Sequence, residues 1–219
     1  MNFELYQRFL SAKNRGLKSE AREAISQFIA SFSSFDEKRA WTKQFLESEI
    51  FGHKIRHELY EQIVFPVLLD GYRKRDTWSI LWLARTSQNF YASEKLFAAL
   101  NFKTALALLQ EAHEIAVNSP QLTAPEATSF QAQALEVAEA ARQELLDAQI
   151  RWFDYSQHEW PEGILWGKDV STRLECDEIL AILSATRDLD TENLHANYFD
   201  EFEDKVRQFL EKLRRSGQD

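Results

Sequence analysis

Glycine and proline are scarce in this 219-residue chain, six and four respectively. That scarcity excludes collagen-like repeats and the Pro/Gly-rich disordered classes. The single cysteine, Cys176, has no partner for an intramolecular disulfide and cannot build a Cys-rich zinc site. No Gly-rich phosphate loop and no Gly-x-Ser-x-Gly nucleophile elbow occurs. Long apolar runs are missing as well. Uncharged apolar stretches such as Gln62–Leu69 and Thr77–Ala84 reach eight residues, against about 20 for a membrane span. The opening residues contain Glu4 and no apolar h-region, so no signal peptide is expected. Together these absences point to a soluble, reducing, cytoplasmic setting and to no membrane partner.

Strand signals are nearly absent too. No stretch sustains apolar–polar alternation, and the one β-like run, Ile63-Val64-Phe65, lies inside a helical pattern. What the chain has is aromatic and helical material. Sixteen Phe, six Trp and six Tyr supply the apolar area that a disordered chain lacks. A first helix is expected over Phe3–Asn14, closed by Arg15-Gly16. In a second, Ala21, Ala24, Ile25, Phe28, Ile29 and Phe32 recur in steps of three and four. Ser34-Phe35-Asp36-Glu37 reads as a capping box opening a third. Pro66 kinks a fourth or begins a new turn. Arg73-Lys74-Arg75 followed by Asp76 reads as a helix end meeting the N-cap of the next helix. Thr123-Ala124-Pro125-Glu126 opens a long helix with no breaker until Trp160-Pro161, about 50 Å of rod. Its expected stripe is Phe130, Ala134, Val137, Ala141, Leu145, Ala148, Trp152 and Tyr155. A last helix carries Leu194, Tyr198, Phe202, Val206, Phe209 and Leu213.

The expected class is therefore all-α: an antiparallel helical bundle or helix-hairpin array of about ten helices, with one long central helix over residues 124–159. It reads as a single domain, 1–219, with sub-bundles 1–120 and 123–219. Residues 76–120 resemble one tetratricopeptide helix pair, through Trp78, Ala112, Ile115 and Asn118-Ser119-Pro120. They lack the Leu-Gly pair after the tryptophan, and no second copy follows at a period near 34.

Charge is segregated. The net charge is −9, yet residues 1–100 hold 15 bases against 12 acids, while residues 154–205 hold 4 bases against 14 acids. An acidic C-terminal third repels a nucleic-acid backbone and attracts a basic protein surface. Within it, Trp160-Pro161-Glu162-Gly163-Ile164-Leu165-Trp166 reads as a loop with two tryptophans and acidic flanks. Exposed, Trp160, Ile164, Leu165 and Trp166 would make apolar anchors rimmed by carboxylates; folded back, they would plug the end of the long helix. The candidate partner-binding set is those four with Asp200, Glu201, Glu203 and Asp204. It fits a stoichiometric inhibitor of immunity or antitoxin type, or an adaptor, with no catalytic residues and no cofactor. Apolar stripes on the first three helices could equally form a homodimer.

A second reading rests on carboxylate spacing. Glu175 and Glu178 form a Glu-x-x-Glu, and Glu201 and Asp204 a Glu-x-x-Asp. Two helices with such pairs resemble the all-α nucleoside-triphosphate pyrophosphohydrolases, the MazG-like family. The resemblance implies four carboxylates holding Mg²⁺ against substrate phosphates. It covers about 30 residues, and no Lys/Arg phosphate-binding set accompanies it. His53 and His57 share a helix face without the His-Glu-x-x-His order of a metalloprotease. Glu192-x-x-His195 is a single copy of a motif that di-iron sites need twice, so His195 reads as a core histidine. Cys176, among Glu175, Asp177 and Glu178, reads as a buried, inert thiol.

Overall fold

The computed structural model describes residues 1–48, 55–118, 129–159, 164–165, 168–169 and 173–216. Eleven helices carry these residues. They are α1 (Phe3–Asn14), α2 (Lys18–Ala30), α3 (Phe35–Ser48), α4 (57–73), α5 (Thr77–Arg85), α6 (Ser87–Tyr91), α7 (Glu94–Ala99), α8 (Ala105–Val117), α9 (Ser129–Glu159), α10 (Arg173–Leu189) and α11 (Ala196–Ser216). The all-α class is thus observed. The only extended pairing among the described residues is a two-residue antiparallel ladder, Ile164–Leu165 against Lys168–Asp169, within the stretch expected to be loop. No helix among the described residues is long and apolar enough to cross a membrane. The chain forms two compact units, Met1–Ala138 and Glu139–Asp219, and the division falls within α9.

In the first unit the helix ends follow their local sequence. Gly16 adopts φ +73. Its N–H donates to the Lys13 carbonyl, and that of Leu17 to the Ala12 carbonyl, the Schellman closure that needs a left-handed residue. Asp76 caps α5 by accepting from the Ser79 N–H at 3.1 Å. The capping box opening α3 is made with one change. Ser34 Oγ accepts from the Glu37 N–H, but the Glu37 carboxylate takes the N–H of Ser33, not that of Ser34. That bond first, and the α-amino group of Met1 second, hold the Glu37 carboxyl down to about 2.

Pro66 neither ends nor splits its helix. The turn Tyr60–Val64 widens to π geometry, and Phe65 N–H donates five residues back to the Tyr60 carbonyl. A proline clashes with the carbonyl four residues before it and offers it no donor. The widened turn makes room, and Lys38 Nζ donates to that freed Gln62 carbonyl at 3.2 Å.

The core of this unit begins as an aromatic cluster. The Tyr6 ring lies 5.1 Å from Phe28 and 5.7 Å from Trp41, and Trp41 stacks on Phe45 at 4.6 Å. It continues through α4 and α5, where Tyr60, Ile63, Val64, Leu68, Ile80 and Leu83 are completely buried. Helix α5 packs along α8 through Leu108 and Ala112, also completely buried. The small Ala112 and Ala116 let α8 approach closely. Gly71 serves the same end where α4 meets α5. A Cβ there would fall on Ser79 Oγ and lie 2.5 Å from Ser79 Cβ.

The second unit gathers the C-terminal part of α9 with α10 and α11. Helix α9 runs 31 residues, about 46 Å. Its buried positions are Ala141, Leu145, Leu146, Gln149 and Phe153. The expected stripe is therefore corrected at its C-terminal end, where Phe153 enters the core and Trp152 is half-buried. Periodicity cannot choose between adjacent aromatics; the Phe202 ring of α11, 4.8 Å from Phe153, settles it. The side chains of Phe130, Ala134 and Tyr155 lie outside the described residues. From α10 come Cys176, Ile179 and Leu183, and from α11 Phe199, Phe202, Val206, Leu210 and Leu213.

Candidate functional site

The acidic region is organised by the turn between α10 and α11. Asp190, only 5 % exposed, accepts from the N–H groups of Leu194 and His195 at 3.1 and 2.7 Å. Asn193, immediately before Leu194, takes φ +54. This capped turn holds the chain out of helix until Ala196. Leu194, expected on the inner stripe, therefore precedes α11 and is 72 % exposed. His195 is half-buried beside Phe199, ring centroids 6.2 Å apart, and is not enclosed in the core. From α9, Arg142 donates to the Leu189 carbonyl at the end of α10 and pairs with Glu139. A cation there suits the negative end of the helix dipole.

Arg187, in the last turn of α10, is the single base between Arg173 and Lys205. It reaches α11 with both arms, Nη1 to Asp200 Oδ1 at 2.8 Å and Nη2 to Glu203 Oε2 at 2.9 Å. Its guanidinium also lies 5.6 Å from the Phe199 ring centre. Arg207 pairs with Glu203 one turn along α11. Arg207 foremost, and Arg187 after it, keep the Glu203 carboxyl below the usual carboxylate range against a counteracting desolvation.

Two of the four candidate acids on α11 are thus committed inside the unit. The other two face away. With Phe199, Phe202, Val206 and Leu210 turned inward, Glu201 and Asp204 fall on the far side of the helix. Both are exposed, and neither side chain pairs with another described residue. On α10, Cys176 is completely buried and Glu178 exposed.

The four carboxylates of the metal-dependent reading are therefore placed as follows. Glu178, Glu201 and Asp204 are exposed, and the side chain of Glu175 lies outside the described residues. Among the described residues no three His, Cys, Asp or Glu side chains form a group able to hold a metal ion. His57 is exposed with Nε2 3.5 Å from Glu61, and His53 lies outside the described residues. Trp160 and Trp166 also lie outside them. Ile164 and Leu165 are described as backbone of the short ladder only.

Sequence reasoning missed the clamp by Arg187. Its signal was present: a lone base at a helix C-terminus, followed by acids three apart at the start of the next helix. The positive φ of Arg75 and Phe102 in the first unit, by contrast, is announced by no sequence pattern. Comparison with family models, with curated proteins and with solved structures finds no match.

Proposed function

We propose that this chain is a non-enzymatic helical interaction module that binds a basic protein partner through the acidic outer face of its second unit. A stoichiometric inhibitor of immunity or antitoxin type, or an adaptor, has this physical profile. The cytoplasm is its expected setting, and neither nucleic acid nor membrane is its partner.

The observation that carries the reading is the division of labour on α11. Arg187 and Arg207 absorb Asp200 and Glu203, while Glu201 and Asp204 stay exposed and unneutralised. Exposed charge of one sign steers an oppositely charged partner and speeds encounter. The Trp160 and Trp166 side chains, where they reach the partner, would act mainly on the dissociation rate.

The test begins with capture by the full tagged chain and continues with kinetics on the protein captured. A basic partner is expected, with association slowed about tenfold in 0.5 M salt and slowed again by Glu201→Lys with Asp204→Lys. Trp166→Ala should speed dissociation with little change in association. An acidic partner, or association rates indifferent to salt and charge reversal, overturns the reading. Pyrophosphate release from nucleoside triphosphates with Mg²⁺ does so as well, in favour of the hydrolase.

A further inference from the structure

Leu194 is the most exposed large apolar side chain among the described residues, at 72 %. A lone surface leucine is commonplace; what sets this one apart is how it is held. Its N–H and that of His195 both donate to the Asp190 carboxylate, which is itself buried. The Asn193 N–H donates to the Asp190 carbonyl at 3.0 Å, and the Asp190 N–H to the Arg187 carbonyl at 3.0 Å. Asn193 takes the left-handed conformation that asparagine tolerates. Before the turn, Arg142 of α9 holds the Leu189 carbonyl. After it, the Phe199 N–H closes the first turn of α11 on the His195 carbonyl at 3.0 Å. The backbone is thus fixed on both sides of Leu194. These bonds need residue 194 only for its N–H, which every residue but proline has.

The surroundings of this turn are acidic. Asp188 and Glu192 are both exposed. Three residues beyond Leu194 begins one exposed line along α11, Asn197, Glu201 and Asp204, spaced four and three apart. At 1.5 Å per residue, Glu201 stands about 8 Å and Asp204 about 12 Å along the helix from Ala196, its first residue. A contact patch of about 800 Å² on one partner is roughly 30 Å across, wide enough for the turn and both acids.

We propose, resting on the acidic-face reading, that Leu194 is the apolar anchor of that face, received by an apolar pocket bordered by lysine or arginine on the basic protein partner. Charge draws the partner in, and burial of the leucine holds it. A turn already fixed by its own hydrogen bonds presents the anchor with no loop to order on binding. The carboxylates around it set the sign of the pocket's rim and disfavour an acidic one.

The test places the photo-crosslinker p-benzoylphenylalanine at position 194 of the full tagged chain. Position 135, where Leu135 is also exposed, serves as the control. Illumination in a lysate of the source cells should give an adduct with a basic protein from position 194 and not from position 135, lost when Glu201→Lys and Asp204→Lys are added. Surface kinetics on that protein, once purified, should show Leu194→Ala weakening binding at least about tenfold, almost wholly through faster dissociation. Leu194→Met should bind like the parent chain, and both variants should melt with it, since the side chain packs on nothing it would lose. A basic partner captured by the tagged chain that either fails to crosslink at 194 or binds Leu194→Ala unchanged overturns the anchor and leaves the acidic-face reading standing. Capture indifferent to the two charge reversals overturns that reading, and the anchor with it.

Discussion

The phenol of Tyr60 offers a sharp test of the packing between α4 and α5. Tyr60 is completely buried, and its hydroxyl lies 3.0 Å from Thr86 Oγ1. Thr86 Oγ1 is also 2.6 Å from the Trp82 carbonyl. A threonine hydroxyl has one proton, and the carbonyl can only accept, so that proton goes to Trp82. Tyr60 must then be the donor to Thr86. Burial pushes its ionisation far above the usual phenol range, with the Thr86 contact opposing, so it stays protonated and donating. The consequences of removing each partner are unequal. Tyr60→Phe takes away a bond that Thr86 only accepted, at a cost of about 1 kcal/mol. Thr86→Val strands a buried phenol donor, at a cost of about 2 to 3 kcal/mol. The Trp82 carbonyl is not orphaned in that variant, because the Thr86 N–H donates to it at 3.0 Å. The double variant replaces both polar partners by apolar ones and should be more stable than Thr86→Val alone. Urea unfolding read by hydrogen exchange at α4 and α5 amides isolates this unit. Strict additivity, or a Tyr60→Phe cost equal to that of Thr86→Val, would refute the assignment of donor and acceptor.

Three further outcomes follow from particular contacts. Gly71→Ala should cost about 1 to 3 kcal/mol in urea titration. Ser79→Ala should not rescue it, because the clash includes Ser79 Cβ, whereas Ser79→Gly should. Arg187→Gln should lower the stability of the second unit by about 1 kcal/mol and, with Asp200 released, speed association with a basic partner in stopped-flow. Glu203 has its folded pKa lowered, so its contribution is complete above the ordinary carboxylate pKa of about 4.3 and is lost as pH falls through the folded value. Glu203→Gln should therefore flatten the loss of melting temperature below that pH, and an unchanged acid slope would count against the ion pair.

The sequence by itself determined what depends on near neighbours along the chain. The helical period of α2 placed Ala21, Ala24, Ile25 and Phe28 inward, and they are buried. Gly16, Ser34 and Asp76 set helix ends through bonds spanning a few residues. The segregation of charge was likewise a matter of composition. Tertiary structure alone decided what depends on distant partners. Pro66 stays within α4 because the chain widens a turn and Lys38, 24 residues away in α3, covers the freed carbonyl. Phe153, not Trp152, enters the core because Phe202 waits there. Of four acids adjacent on α11, two are neutralised and two presented, because a guanidinium from α10 reaches two of them. Periodicity and capping are local energies that a short stretch already contains. The choice of which side chain meets which becomes an energy only once separate helices share a surface.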